Sequence, residues 1–172
     1  MTESGTGAGW LLLVHNVPAE PLYLRAKVRR LLAQAGAIAD LHVMLQREVV
    51  ERMVAPPGGK DYGRLTVMLA PYVAVESLFD VGPGAFQPPP RVWSAVARLR
   101  VHAEPLFAVS PHYAAVVSAA FMQRRKTLRN ALGELLSREQ IAACGVDPGA
   151  RPETLTPAAF NNLALTLDRA GA

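Results

Sequence analysis

The chain has 172 residues, of which 51% are hydrophobic and 19% are charged, so it can bury one core, or a part-domain with a small second domain. Its single cysteine excludes an internal disulfide, and no apolar stretch reaches the roughly 20 residues of a membrane-spanning helix. The net charge of +4 is compatible with a polyanionic partner. No convincing signal peptide is visible, and we expect a cytoplasmic protein.

Predicted strands and helices alternate along the first 103 residues. A glycine-rich tail over residues 1–9 precedes an apolar, parallel-type strand over residues 10–14. The patterns that follow predict helices over residues 21–35, 46–54 and 62–70, and strands over residues 38–45, 73–81 and 94–101. This alternation indicates an α/β layer.

After residue 105 only helical periodicity remains, so we place a domain boundary near residues 103–108. The sequence predicts one long helix over residues 111–136. It also predicts a short helix over residues 138–144, begun by a capping box of Ser137 and Gln140, and a terminal helix over residues 157–170 with Thr156 as its N-cap. The predicted fold class is therefore α/β followed by an all-α domain.

Four cations lie within six residues of the predicted long helix, at Arg124, Arg125, Lys126 and Arg129. On a continuous helix Arg124 falls within the apolar stripe, which suggests a structural ion-pair partner, and the other three lie on the adjoining flank. Arg125 and Arg129 would be one turn apart and would repel each other, which favours an external anion such as an RNA backbone. A solvated helix face is the alternative.

A stiff loop joins the last two predicted strands. Phe86 precedes three consecutive prolines, which force an extended backbone, and Arg91 and Trp93 follow them. An exposed Phe86 at a strand end could stack on a nucleobase. The alternative is that Phe86 plugs the core, and Trp93 could belong to either the core or the surface.

Two other kinds of site find little support. The glycines of residues 5–9 superficially resemble a nucleotide-binding loop, but a strand follows them where a helix is required, so a flexible tail is favoured. The four histidines, His15, His42, His102 and His112, show no metal-binding spacing, so we predict no metal site.

Several long segments, in order, resemble the 16S rRNA adenine dimethyltransferase family of the KsgA/RsmA type. They are MLQREVVERMVAPPGGKDYGRL, GPGAFQPPPRVWSAVARL, FMQRRKTLRNAL and GVDPGARPETLTPAAF, and the resemblance runs from about Leu31 to Leu163. It implies a Rossmann-like methyltransferase domain followed by a small helical domain. It also implies S-adenosylmethionine as methyl donor, two adjacent adenosines near the 3′ end of 16S rRNA as substrate, and the 30S subunit as partner.

The resemblance also implies roles for individual residues. Phe86 matches the aromatic that packs against a flipped adenine. Arg124, Arg125, Lys126 and Arg129 match the family's basic helix, and of these we expect Arg125, Lys126 and Arg129, together with Arg91, to contact RNA. Asn16 stands in a reduced form of the catalytic motif, as Asn16-Val17-Pro18-Ala19, and is a candidate to orient the target amine.

The chain also departs from the family. The glycine-rich cofactor loop and the ribose-binding acid should precede Leu31 and are not found, so we assign no cofactor-binding residue. Trp93 stands where the family usually has Asp, and Gly82 where it usually has Pro. We therefore expect a divergent segment over residues 1–30, the carboxyl half of a truncated methyltransferase domain over residues 31–103, and a helical rRNA-binding domain over residues 104–172. A frameshift or truncation would explain an abrupt loss of similarity before Leu31.

The resemblance leaves the activity of the isolated chain open. The leading interpretation is a portion of an rRNA dimethyltransferase that is inactive alone, because methyl transfer requires the cofactor to be held in line with the amine. The alternative is a non-catalytic module that binds rRNA or the 30S subunit. A mitochondrial-type transcription accessory protein is a third class, which the sequence supports least.

Overall fold

The computed structural model describes residues 9–14 and 38–170, with the side chains of residues 41–169. The chain divides into two compact units. The first comprises the described residues up to Val54 together with Tyr72–Glu104, and the second comprises Ala55–Pro71 and the described residues from Pro105 onward.

A four-stranded mixed sheet forms the first unit. Its strands are β1 (Gly9–Val14), β2 (Ile38–Gln46), β3 (Val73–Val81) and β4 (Ser94–Val101), in the order β1-β2-β4-β3. β1 pairs with β2 in parallel, as predicted for a parallel-type strand, and β4 runs antiparallel to both β2 and β3. The sheet is therefore a parallel pair extended by an antiparallel hairpin.

Alternation along β2 and β4 gives these two strands one buried face. Leu41 of β2 is paired with Leu99 of β4, and Val43 with Ala97, and all four side chains are buried. Helix α1 (Arg47–Val54) packs against β2, β3 and β4 and buries Val50 and Met53. The predicted strand bounds 73–81 and 94–101 are confirmed without change, because both segments are rich in β-forming residues and flank a proline-rich loop.

Helices build the second unit. They are α2 (Arg64–Leu69), α3 (Tyr113–Met122), α4 (Leu128–Ala131), α5 (Arg138–Ala143) and α6 (Pro157–Ala170), with a short 3₁₀ turn at Pro152–Thr154. Their core contains Tyr62, Tyr113, Val116, Val117, Ala120, Leu128, Leu132, Leu136, Ile141, Leu155, Phe160 and Leu163. The capping box of Ser137 and Gln140 and the cap at Thr156 are confirmed.

The predicted long helix over residues 111–136 is wrong. α3 ends at Met122, the backbone turns at Gln123, and Thr127 is extended. The N–H groups of Leu128 and Arg129 donate to the carbonyls of Ala150 and Pro148, at 2.9 and 3.0 Å. Tertiary hydrogen bonds thus replace the bonds that a continuous helix would make to residues 124 and 125, and α4 starts anew.

From Pro105 onward the described residues all belong to the second unit, so the first unit ends at Glu104, within the predicted boundary. The segment Ala55–Pro71, however, belongs to the second unit and not to the first. The reason is burial, since Tyr62 and Val67 lie in the helical core. The division into a methyltransferase domain over residues 31–103 and an rRNA-binding domain over residues 104–172 stays a prediction.

Some predictions lie outside the described residues. They concern the tail over residues 1–8, the amphipathic helix over residues 21–35, and Asn16. Within residues 9–14 and 38–170, no helix is long and apolar enough to cross a membrane.

Candidate functional site

One edge of the sheet collects the ends of three strands. β1 and β2 are parallel, so Val14 and Gln46 end at the same edge. β4 starts there, since Ser94 pairs with Gln46, and β3 ends there, since Val81 pairs with Ser94. Ligands of open α/β sheets bind outside the carboxyl ends of the strands, so this edge is the place to look for a site.

The loop between β3 and β4 emerges at this edge and carries the predicted base-stacking residue. A 3₁₀ turn at Pro83–Ala85 leads into Phe86, whose N–H donates to the carbonyl of Pro83 at 3.2 Å. Phe86 is half-buried with an extended backbone, and the peptide bond between Gln87 and Pro88 is cis. The ring is therefore neither a fully buried core plug nor fully exposed.

Arg91 and Trp93 complete the loop on its return to β4. Arg91 is exposed, as the prediction of an RNA contact requires. The side chain of Trp93 is 50% exposed, which answers the question left open by the sequence in favour of the surface. The main-chain carbonyl of Trp93 accepts a hydrogen bond from the N–H of Arg47 at 2.9 Å, which ties the loop to the start of α1.

Arg47 is the centre of a small charged cluster that the sequence did not reveal. Its Nε lies 3.2 Å from a carboxylate oxygen of Glu51, and its Nη1 lies 3.6 Å from Asp80. The guanidinium carbon is 5.9 Å from the centroid of the Trp93 ring, within the range of a cation–π interaction. One feature of the sequence could have indicated this cluster: Arg47 directly follows β2, at the carboxyl edge of the sheet.

A cleft of about 260 Å³ opens beside this cluster. It is lined by Gln46, Arg47, Glu48, Glu51, Val92 and Trp93. Its two carboxylates are already ion-paired, Glu51 with Arg47 and Glu48 with Arg52. The cleft therefore combines a half-exposed aromatic surface with charges that largely compensate each other.

The basic segment of the second unit is a turn and not a helix face. Arg125, Lys126 and Arg129 are exposed, and Lys126 closes a turn by donating its N–H to the carbonyl of Gln123 at 2.7 Å. The prediction that Arg125 and Arg129 lie one helical turn apart is wrong, because the chain leaves the helix between them. The three side chains still form an exposed cationic segment within five residues.

Arg124 differs from its three neighbours. It is half-buried, and its guanidinium donates to the main-chain carbonyl of Lys60. Lys60 lies in the segment Ala55–Pro71, so Arg124 joins two separate parts of the second unit. The predicted structural role is thus supported by a contact to a carbonyl and not by the ion pair that the sequence suggested.

The structure brings together only some of the predicted residues. Phe86 and Arg91 share the β3–β4 loop of the first unit, and Arg125, Lys126 and Arg129 share the basic turn of the second. Asn16 lies outside the described residues. Over the part of the chain whose structure is described, no group of three or more histidine, cysteine, aspartate or glutamate side chains could hold a metal ion.

The chain is similar to known proteins over most of its length. The family model for ribosomal RNA adenine dimethylase matches residues 18–169, which is most of the chain. The chain belongs to this family. The match to the rRNA adenine dimethylase family begins within residues 1–30, where we expected a divergent segment, so the similarity extends further toward the amino terminus than predicted.

Two curated members of the family illustrate the extent of the match. The ribosomal RNA small subunit methyltransferase A of Pseudomonas aeruginosa is 55% identical over 174 residues, covering 95% of this chain. The protein of the same description from Pseudomonas fluorescens is 50% identical over 170 residues, covering 93%. The chain spans only 60% and 59% of the length of these two relatives.

Two solved structures share the fold of this chain. A dimethyladenosine transferase from Plasmodium falciparum superposes with a TM-score of 0.73 at 19% identity, covering 93% of this chain and 67% of that one. The 23S rRNA methyltransferase ErmE gives a TM-score of 0.61 at 26% identity, covering 92% and 66%. The predicted fold class, part of a Rossmann-like methyltransferase domain with a helical domain, is confirmed.

Proposed function

We propose that this protein takes part in the dimethylation of two adjacent adenosines near the 3′ end of 16S rRNA, with S-adenosylmethionine as methyl donor. The 172 residues would supply the adenosine-facing wall of the site and the surface that binds the 30S subunit. The observation that carries the proposal is the position of the β3–β4 loop with Phe86 at the sheet edge where β1 and β2 end.

Phe86 would hold the target base. A base taken out of its helix must be held by stacking, which is worth roughly 1–3 kcal/mol per base on an aromatic side chain. Phe86 is half-buried, so part of its ring is supported by protein while part stays accessible. The proline-rich backbone after it limits the freedom of the loop, and a preorganised ring loses little entropy when a base binds.

Asn16 would orient the amine that receives the methyl group. It follows the end of β1 by two residues in the sequence, and β1 ends at the same edge as the β3–β4 loop. An amide oxygen can accept a hydrogen bond from an exocyclic amine and so aim its lone pair. In this proposal Asn16 positions the base, and it does not itself exchange a proton.

Arg125, Lys126 and Arg129 would bind the rRNA backbone, with Arg91 as a further contact on the first unit. All four side chains are exposed. Neutralising phosphates releases counterions and supplies most sequence-independent affinity for RNA. Each of these residues should therefore contribute affinity that falls as salt rises.

S-adenosylmethionine would supply the methyl group from its sulfonium. The cleft at the sheet edge does not fit this group well, because its carboxylates Glu48 and Glu51 are committed to Arg52 and Arg47. We therefore assign no described residue to the cofactor. The 172-residue chain alone should bind 30S subunits without transferring methyl groups.

A fused protein tests the proposal. The part of the Pseudomonas aeruginosa relative that this chain does not cover would be joined ahead of the chain, and methyl transfer to 30S subunits lacking the modification would be measured. We expect transfer by the fusion, a large loss with Phe86→Ala, and recovery with Phe86→Trp. A fusion that binds cofactor and 30S subunits but transfers nothing would instead favour the alternative, a non-catalytic rRNA-binding module.

A further inference from the structure

Trp93 lies on the surface at the same sheet edge, beside the proposed site but not part of it. Its side chain is 50% exposed, and its neighbour Val92 is 45% exposed. Burying a large aromatic side chain normally contributes to stability, so a tryptophan left half in water gives up part of that gain. Neither the fold nor the proposed role of Phe86 uses this exposed surface.

Two groups lie against the Trp93 ring and leave half of the residue exposed. A Cβ atom built on Gly82 would lie 3.5 Å from Cη2 and Cζ3 of the ring, so the ring rests against the bare backbone of Gly82. The Arg47 guanidinium lies over the ring, with its carbon 5.9 Å from the centroid. Arg47 is in turn held by Asp80 and Glu51. The two departures from the family pattern, at Gly82 and Trp93, are therefore in contact with each other.

We propose that Trp93, backed by Arg47, is a stacking platform for a second, unpaired RNA base that lies next to the target adenosines. This inference rests on the proposed function, because it takes the partner to be RNA. Arg47, Asp80 and Glu51 together carry a net charge of −1, so the platform offers a flat aromatic surface with no excess positive charge to attract a phosphate. Such a surface suits a base more than a phosphate.

The cleft beside the ring supports this assignment. It has about 260 Å³ of space, with Gln46 on its wall. The amide of Gln46 has both donors and an acceptor, as the edge of a base requires. Gln46 also ends β2, which brings the platform to the edge where the β3–β4 loop emerges.

Fluorescence of the intact chain tests the platform. The chain has two tryptophans, so Trp10→Phe leaves Trp93 as the only one. An unstructured RNA of about ten nucleotides, a length within the usual range of single-strand sites, would be titrated into this variant. We expect RNA to quench the Trp93 emission, as a stacked base would.

Affinity for the same RNA provides a second readout. We expect Trp93→Ala to weaken binding about 5- to 100-fold, and Trp93→Phe, which keeps an aromatic ring, to retain most of it. Phe79→Ala is the matched control, because Phe79 is an aromatic residue of the same unit that is 59% exposed and lies outside the cleft. The loss with Trp93→Ala should be the same at low and high salt, because stacking releases no counterions.

Each other outcome has a definite meaning. Unchanged affinity in Trp93→Ala, or no quenching, would overturn the platform while leaving the proposed function intact, provided that Arg125→Gln still weakens binding. Failure of the wild-type chain to bind RNA at any salt would count against the proposed function itself. An emission change with a lysine- and arginine-rich peptide but not with RNA would assign the cleft to a protein and overturn the proposal. If Trp93→Ala does not fold, the quenching of Trp93 emission by RNA and the RNA affinity of Trp93→Phe test the platform instead.

Discussion

The hydroxyl of Tyr62 donates a hydrogen bond of 2.7 Å to the main-chain carbonyl of Leu155, 93 residues further along the chain. Both residues are buried in the core of the second unit. A second hydrogen bond, from the N–H of Gly58 to the carbonyl of Glu153 at 2.7 Å, joins the same two segments. The helical unit is therefore assembled from two separated pieces of sequence.

Tyr62→Phe should lower the free energy of unfolding by roughly 1–3 kcal/mol, because it leaves the buried carbonyl of Leu155 without its donor. Urea denaturation followed by circular dichroism measures the change. Tyr72→Phe, at a half-buried position of the first unit, is the control and should cost less. An equal loss in the two variants would contradict the importance of this hydrogen bond.

The stability of the folded chain at alkaline pH should also depend on Tyr62. Burial raises the pKa of Tyr62 well above its usual range, so the folded chain holds the proton more tightly than the unfolded chain. The contribution of the protonated Tyr62 to the free energy of unfolding is complete below about pH 10, where the unfolded tyrosine is still protonated. It is lost as the pH rises beyond this value. The stability difference between wild type and Tyr62→Phe should therefore shrink above about pH 10. A constant difference up to about pH 11 would be inconsistent with a buried phenol.

Ser137→Ala should lower the free energy of unfolding by about 1 kcal/mol. Ser137 Oγ accepts the N–H of Gln140 at 3.2 Å, and the Gln140 side chain accepts the N–H of Ser137 at 2.7 Å. Without the hydroxyl, the N–H of Gln140 at the start of α5 loses its protein acceptor and can bond only to water. The exposed Ser77 of β3 offers a control, since Ser77→Ala should change thermal stability little.

Arg125→Gln, Lys126→Gln and Arg129→Gln should each reduce the slope of log affinity against log salt for RNA by about 1. Arg124→Met should leave the slope unchanged and lower stability, because Arg124 is committed to the carbonyl of Lys60. Filter binding at several salt concentrations, with thermal melting of each variant, separates the two effects. A reduced slope in Arg124→Met with unchanged melting would assign Arg124 to RNA.

Local patterns predicted much of the fold. The β-forming residues of β3 and β4, together with the proline- and glycine-rich loop between them, predicted the bounds of both strands to the residue. The break between α3 and α4 could not be predicted in this way, because residues 117–135 keep a helical spacing of apolar side chains across it. Val117, Leu128 and Leu132 are all buried as that spacing suggests. The N–H groups of Leu128 and Arg129 donate instead to the carbonyls of Ala150 and Pro148, which are distant in sequence, so α4 does not continue α3.

The candidate site was predictable only in part. Phe86 and Arg91 followed from the proline-rich loop and the family resemblance. The surface position of Trp93 could not be predicted, because its neighbours Gly82 and Arg47 are distant in sequence. The pattern of apolar residues along a strand does not show which residues of other elements will lie beside it. The helix predicted over residues 46–54 begins at Arg47 in the structure, but the ion pair of Arg47 with Asp80, near the end of β3, could not be predicted from local spacing.

Competition with an intact relative shows whether Arg125, Lys126 and Arg129 bind the rRNA substrate. The 172-residue chain would be added to the Pseudomonas aeruginosa relative while that enzyme methylates 30S subunits lacking the modification. We expect competitive inhibition, with a raised apparent KM for the 30S subunit and an unchanged kcat. A chain carrying Arg125→Gln, Lys126→Gln and Arg129→Gln should inhibit more weakly. Undiminished methylation in the presence of a large excess of folded chain would contradict the claim that these residues bind the rRNA substrate.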